Sequence, residues 1–170
     1  QKAMASYEVA NKEFPGYVNE VGLTAKTTGS WSVMILPYIE QQQLWDQFAK
    51  GKQAAGQIEI FLCPSNPAQY EGTPAMSYLA NAGYIQAEKI DAEGDDCSMK
   101  ENPGNGVFFD KTRGGGDIRD LKPDCHEVEL DPVINMTFAS VAAQGDGSTH
   151  TLMFAEGINA DVWTRKTVEN

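Results

Sequence analysis

No apolar run in the 170 residues approaches the length of about 18–20 residues that crosses a bilayer. The chain does not open on the basic-then-apolar pattern of a signal peptide. Basic residues are scarce: 13 Lys and Arg stand against 24 Asp and Glu, a net charge of −11. That balance repels phosphate backbones and anionic headgroups, which argues against a nucleic-acid partner and against peripheral membrane binding. It favours solubility and leaves room for cations. Cysteine is limited to Cys63, Cys97 and Cys125, with no C-x-x-C spacing. For an exported chain, the simplest arrangement is one disulfide plus one buried thiol. Internal repeats and low-complexity tracts are absent.

What remains is an ordinary globular composition, 41% hydrophobic and 22% charged. No compositional break divides it, so a single domain over 1–170 is expected, long enough to bury a core without metals or many staples. The first residue is Gln1, not an initiator methionine, and the opening dozen residues read as the middle of a helix. The expectation is that an upstream segment has been removed, by processing or by design.

Ala3, Tyr7, Ala10 and Phe14 are spaced as one helical stripe, which Pro15-Gly16 should stop. A second helical pattern runs from Trp31 to Phe48, with Ile39, Gln42, Trp45 and Phe48 along one side and Gly51 as its stop. Pro37 is either the first helical residue or a kink, and a single kinked helix is the reading adopted. After residue 57 the pattern becomes strand-like. Ile58, Ile60 and Leu62 alternate, and Tyr78, Ala80, Ala82 and Tyr84 share a face. Gly106–Asp110 reads as a short strand. Asn135–Ala142 and Thr149–Glu156 read as a closing pair joined at Gly145-Asp146-Gly147. Residues 86–105 and 111–132 are polar excursions. Helices first and strands afterwards predict an α+β fold with an antiparallel sheet of four to five strands.

Six segments, in order, resemble a known family. Met4–Gly16, with Glu13-Phe14-Pro15-Gly16, is similar to the end of the long N-terminal helix in bacterial prepilin-like proteins. Ser30-Trp31-Ser32-Val33-Met34-Ile35-Leu36-Pro37-Tyr38-Ile39-Glu40-Gln41 resembles their S-W-x-x-x-L-L-P-Y-L-E-Q motif. Phe61-Leu62-Cys63-Pro64-Ser65-Asn66-Pro67 resembles F-x-C-P-S-D-P. Ser77–Gly83, Asn105–Phe108 and Asp146–Glu156 are similar to S-Y-x-G-N-x-G, N-G-V-F and D-G-T-S-N-T-I-x-x-G-E. The family's frequent C-terminal H-P-G-G segment is missing, and both excursions are particular to this chain.

The resemblance implies a type IV pilin-like or type II secretion pseudopilin-like head: a truncated N-terminal helix and a second helix on an antiparallel sheet. It implies prepilin-type N-terminal methylation and an upstream apolar helix that anchors the protein in the membrane and packs beside other pilin-like subunits. The location implied is the cell envelope, extracytoplasmic or on the cell surface. The role implied is structural, in a pseudopilus or surface filament, with no enzyme activity. Two other functions are weighed. An extracytoplasmic carbohydrate-binding module would need two or more exposed aromatic rings on a concave face. A hydrolase would need an acid orienting His150, which in turn reaches Ser148.

Individual residues give weaker signals. Ser148 and His150 sit too close together in a turn to meet a third orienting acid easily. Asp91, Glu93 and Asp95, with Asp96, form an acidic run that is a weak calcium candidate. It lacks EF-hand spacing, and pseudopilin heads are the precedent for calcium; a solvated loop is the bland alternative and no cofactor is required. Cys97 and Cys125 are the disulfide candidates, stapling the two excursions, with Cys63 buried; another pairing stays open. Zinc at Cys125-His126 lacks the usual paired spacing. Gly114-Gly115-Gly116 lacks the framing of a phosphate loop. Trp31 and Trp45 are expected in the core, while Trp163 is left undecided.

Overall fold

The computed structural model describes residues 2–22, 27–52, 56–65, 73–83, 86–87, 99–100, 103–104, 106–112, 133–144, 147–157, 160 and 162–164. Over these the fold is α+β, with helices joined to small antiparallel sheets. Helix α1 (Lys2–Asn11) is followed by β1 (Asn19–Val21), β2 (Thr27–Gly29) and α2 (Trp31–Met34). A 3-10 turn (Leu36–Ile39), α3 (Gln42–Ala49), a second 3-10 turn (Glu59–Phe61) and β3 (Tyr78–Ala80) come next. Then come β4 (Gln86–Ala87), β5 (Met99–Lys100), α4 (Phe138–Gln144) and β6 (Phe154–Glu156).

The strands make three separate antiparallel pairs among the described residues, β1–β2, β3–β6 and β4–β5, instead of one sheet of four to five. In β3–β6, Tyr78 faces Glu156 and Ala80 faces Phe154 across 74–78 residues of chain. Tyr78 and Ala80 are half-buried and Leu79 is exposed, the alternation expected of this segment.

Helix α1 ends earlier than Pro15-Gly16 would set it. Lys12 adopts a left-handed conformation (φ 65°) and closes the helix at Asn11. The buried side is then Met4 and Tyr7 with half-buried Ala3, while Ala10 faces solvent. Phe14 is buried from the extended segment beyond the helix.

The second helical region is not one kinked helix. Pro37 falls in the first turn of a 3-10 segment, where its missing N–H costs nothing, and Glu40 is left-handed at φ 64°. The chain therefore changes direction between α2 and α3. Phe48 is buried and Trp45 and Leu44 half-buried, whereas Gln42 is exposed, so the inward stripe of α3 is rotated from the expected one. Gly51 (φ 70°) does supply the C-terminal stop.

Three strand readings are corrected. Around Ile58 the inward residues are Ile58 and Phe61, while Ile60 is 63% exposed; period three won over period two because the segment coils to bring Phe61 onto Trp31. Val107, Phe108 and Phe109 are all buried, leaving no outward face, and only Asp110 forms a bridge, parallel, to Val18. Residues 138–144 are helical, and β6 pairs with β3 instead of with them. Ala139, Ala142 and Ala143 are strong helix formers, and the Thr137 hydroxyl supplies the start signal.

The core is organised by a run of rings. Phe138 meets Phe14 edge-on at 4.8 Å, Phe14 lies 6.4 Å from Phe108, and Phe108 lies 5.2 Å from Phe154. Phe154 is 4.6 Å from Trp31, which leads through Phe61 to Trp163 at 6.0 and 6.4 Å. Such pairs add about 0.5–1.5 kcal/mol each beyond their buried area.

Candidate functional site at the seat of the first helix

The residues that join α1 to the rest of the chain form the most organised polar arrangement among those described. Thr137 precedes α4 and accepts the backbone N–H of Ser140 on its hydroxyl at 2.9 Å, an N-cap. The next orphan donor, Phe138 N–H, is taken by Glu8 Oε1 of α1 at 2.8 Å. One helix thus caps another. Phe14 N–H donates to the Met136 carbonyl at 2.7 Å, so the α1 exit is tied to the same segment.

Beside this joint, Lys111 Nζ donates to Glu13 Oε2 at 2.9 Å, the Ile134 carbonyl at 2.6 Å and Asn135 Oδ1 at 2.7 Å. All three ammonium donors are used. Its side chain is only 10% exposed, so the pair is worth more than an ordinary surface bridge. On the same buried face of α1, Tyr7 meets Tyr38 edge-on at 5.7 Å. Burial first, then the charge of Glu13 and the neighbouring Tyr38, pushes the Tyr7 hydroxyl up to about 12.

Asn19 anchors the connection between α1 and the β1–β2 hairpin. It is buried, its Oδ1 accepts the Gly16 N–H at 2.7 Å, and its Nδ2 donates to the carbonyls of Gly16 and Gly29 at 2.8 and 3.1 Å. Gly16 is required there: a Cβ would lie 2.1 Å from the Phe109 carbonyl oxygen. Two open grooves flank the start of α1 and share Lys2 as a wall. One, about 610 Å³, is lined by Ala5, Phe138, Val141, Leu152 and Phe154 among others. The other, about 830 Å³, lies against Tyr38, Ile39, Ile58 and Ile60.

Of the stripe Ala3, Tyr7, Ala10 and Phe14 singled out in the sequence, Ala3 and Tyr7 hold α1 to the body together with Met4, Phe14 does so from beyond the helix end, and Ala10, facing solvent, does not. Ser148 and His150 are exposed in a turn, and the His150 ring hydrogen-bonds the neighbouring Thr149 hydroxyl at 3.0 Å. Trp31 and Trp163 are buried, and Trp45 is half-buried against the core. Cys63 is a buried free thiol. Cys97, Cys125, His126, Asp91, Glu93, Asp95 and Asp96 lie outside the described residues, as does Tyr84. Among the described residues no cluster of metal-ligating side chains occurs, and no helix is long and apolar enough to cross a membrane.

Sequence reading missed Glu8, Asn19 and Lys111. Thr137 and Ser140 offered the one legible hint, a hydroxyl before an alanine-rich segment; nothing local announces that Glu8 completes the cap.

Residues 2–170 match the family described as "Protein of unknown function (DUF1559)", SBP_bac_10. No curated protein matches the chain. No solved structure matches it either. The match spans nearly the whole sequence, so the chain belongs to that family.

Proposed function

We propose that this family member is the extracytoplasmic head of a membrane-anchored, pilin-like subunit, serving as a structural or minor component of a pseudopilus or surface filament. The observation that carries the reading is the seat of α1. One face of the helix is fixed to the body by Met4, Tyr7 and the Glu8 cap on α4. The other leaves Ser6, Val9 and Ala10 exposed, with Val9 at 69%. A helix held this firmly on one side and smooth on the other can transmit load from a spine to a head and lie beside neighbouring helices.

Supporting the same reading, the described aromatic rings are buried or half-buried, and the large exposed apolar side chains are Val9, Ile60, Leu79, Val133 and Leu152, all aliphatic. None of the described aromatic rings is fully exposed, which weakens the support for a sugar-stacking platform. His150 Nδ1 hydrogen-bonds the Thr149 hydroxyl in place of an orienting carboxylate, which weakens the support for a hydrolase. In this proposal the protein resides in the cell envelope, and its partners are other subunits contacted through an upstream apolar helix.

The test is the intact mass and N-terminal sequence of the native protein recovered from its own cells. A methylated first residue followed by about 20 apolar residues leading into Gln1 supports the proposal. A mature chain that starts near Gln1 after an ordinary signal-peptide cut rules it out.

A further inference from the structure

We propose that Lys111 and Asn135 are joined by an intramolecular isopeptide bond, with Glu13 moving the protons. An amine, a carboxamide and a carboxylate converge here. Lys111 Nζ lies 2.7 Å from Asn135 Oδ1 and 2.9 Å from Glu13 Oε2. The Ile134 carbonyl, 2.6 Å from the same nitrogen, holds it beside residue 135. Asn135 Cγ is bonded to Oδ1 at about 1.2 Å, so it lies at most about 4 Å from the amine. Reacting atoms in near-attack geometry stand about 3–3.5 Å apart, which a small rotation of the carboxamide reaches.

The surroundings suit a slow, single-turnover reaction. The Lys111 side chain is 10% exposed and Glu13 31% exposed, so the amine and its base are held together away from most of the solvent. Asn135 is exposed, which gives the leaving ammonia a path to water. Lys111, Glu13 and Asn135 come from three separate segments, all pinned by the α1 seat, so orientation is supplied by the fold.

The step balances without any co-reactant. The Glu13 carboxylate takes a proton from the Lys111 ammonium, leaving a neutral amine. The amine nitrogen attacks Asn135 Cγ, forming the new C–N bond as the carbonyl electron pair moves to oxygen. When that pair returns, the bond from Cγ to Nδ2 breaks, and Nδ2 leaves as ammonia with the proton from Glu13. The surplus proton on the attacking nitrogen passes through the same carboxylate to the ammonia. One amide and one ammonium ion result, and nothing is oxidised or reduced. The bond closes residues 111–135 into a covalent ring at the foot of α1.

The experiment is tandem mass spectrometry of a tryptic digest of the purified chain, beside Glu13→Gln, Lys111→Arg and Asn135→Ala variants. The expected result is a branched peptide pair linked through Lys111 and Asn135, lighter by one ammonia, with trypsin failing to cut after Lys111. All three variants should lose it, and Glu13→Gln, although it also gives up the ion pair to Lys111, should still melt cooperatively as a folded chain. Peptide assignment is needed because Asn105-Gly106, and glutamine at a free N-terminus, also shed ammonia. Separate unmodified Lys111 and Asn135 peptides in aged protein overturn the proposal and leave an ion pair only. A link lighter by one water overturns it too, because that places the bond on Glu13.

Discussion

The Glu8 carboxylate sits 2.8 Å from the backbone N–H of Phe138, so the first helix completes the N-terminal cap of α4 across 130 residues of chain. Removing a side-chain cap typically costs about 0.5–2 kcal/mol. Glu8→Ala is expected to fall in that range by denaturant melt. Thr137→Ala should cost a similar amount, since it frees the Ser140 N–H. Because both act on one helix start, the double variant should lose less than the two single losses added together. Strict additivity would show that Glu8 does not belong to the cap.

Asn19 offers a sharper test of the connection after α1. Its amide donates to two carbonyls and its oxygen accepts one N–H, all buried. Asn19→Asp keeps the acceptor but replaces the amide nitrogen that makes both donations with an oxygen facing the two carbonyls. Each buried group left unpaired costs about 1–3 kcal/mol, so the loss should be several kcal/mol. A leucine of similar volume should do no better. If Asn19→Asp proved harmless in a urea melt, the hydrogen-bond assignment around Gly16 would be wrong.

Gly22 and Gly147 form a matched pair. Both adopt φ +87°, but a Cβ on Gly22 would lie 2.5 Å from the Ala49 carbonyl oxygen, whereas one on Gly147 would meet no described atom within 4 Å. Gly147→Ala should therefore cost only the left-handed strain, about 1 kcal/mol. Gly22→Ala should cost clearly more, because backbone must move. Equal effects on the melting temperature would mean that β1 does not press on the end of α3.

How far the sequence led differs between elements. The α+β class, α1, the stop at Gly51 and the burial of Trp31 were legible, because each rests on a local period or a local breaker. The errors share a cause. Phe61, Val107–Phe109 and Val141 are placed by rings and caps contributed from distant segments, and short apolar runs carry no period that distinguishes strand from coil. The candidate site was less legible still. Glu8, Asn19 and Lys111 act on Phe138, Gly29 and Asn135, and no pattern in the chain links those positions.

Trp163 closes the run of rings and is fully buried near the end of the described chain. Its N–H donates to the Pro74 carbonyl at 2.8 Å, its indole to the Gly56 carbonyl at 3.0 Å, and its own carbonyl accepts from Ser30 and Ser32, both at 3.1 Å. Trp163→Ala is expected to cost about 3–5 kcal/mol, enough to unfold a marginal domain. Trp163→Phe keeps most of the apolar surface but strands the Gly56 carbonyl, so it should cost less. Calorimetry orders the two.

The buried hydroxyl of Tyr7 sets an alkaline limit on the clamp. Its pKa is raised from 10.0 to about 12, chiefly because burial penalises the phenolate and then because Glu13 lies near. Below pH 10 both folded and unfolded chains hold the proton, and the contribution is fully present. Between about 10 and 12 the unfolded chain releases it while the folded one retains it, so stability falls as pH rises. Above the folded value no further loss comes from this group. Tyr7→Phe keeps the ring against Tyr38 and has no proton to release, so its stability curve should be flatter between pH 10 and 12. Denaturant melts across that window decide the matter: parallel curves for the two proteins would show that Tyr7 titrates as a solvent-exposed tyrosine and that α1 is not seated as described.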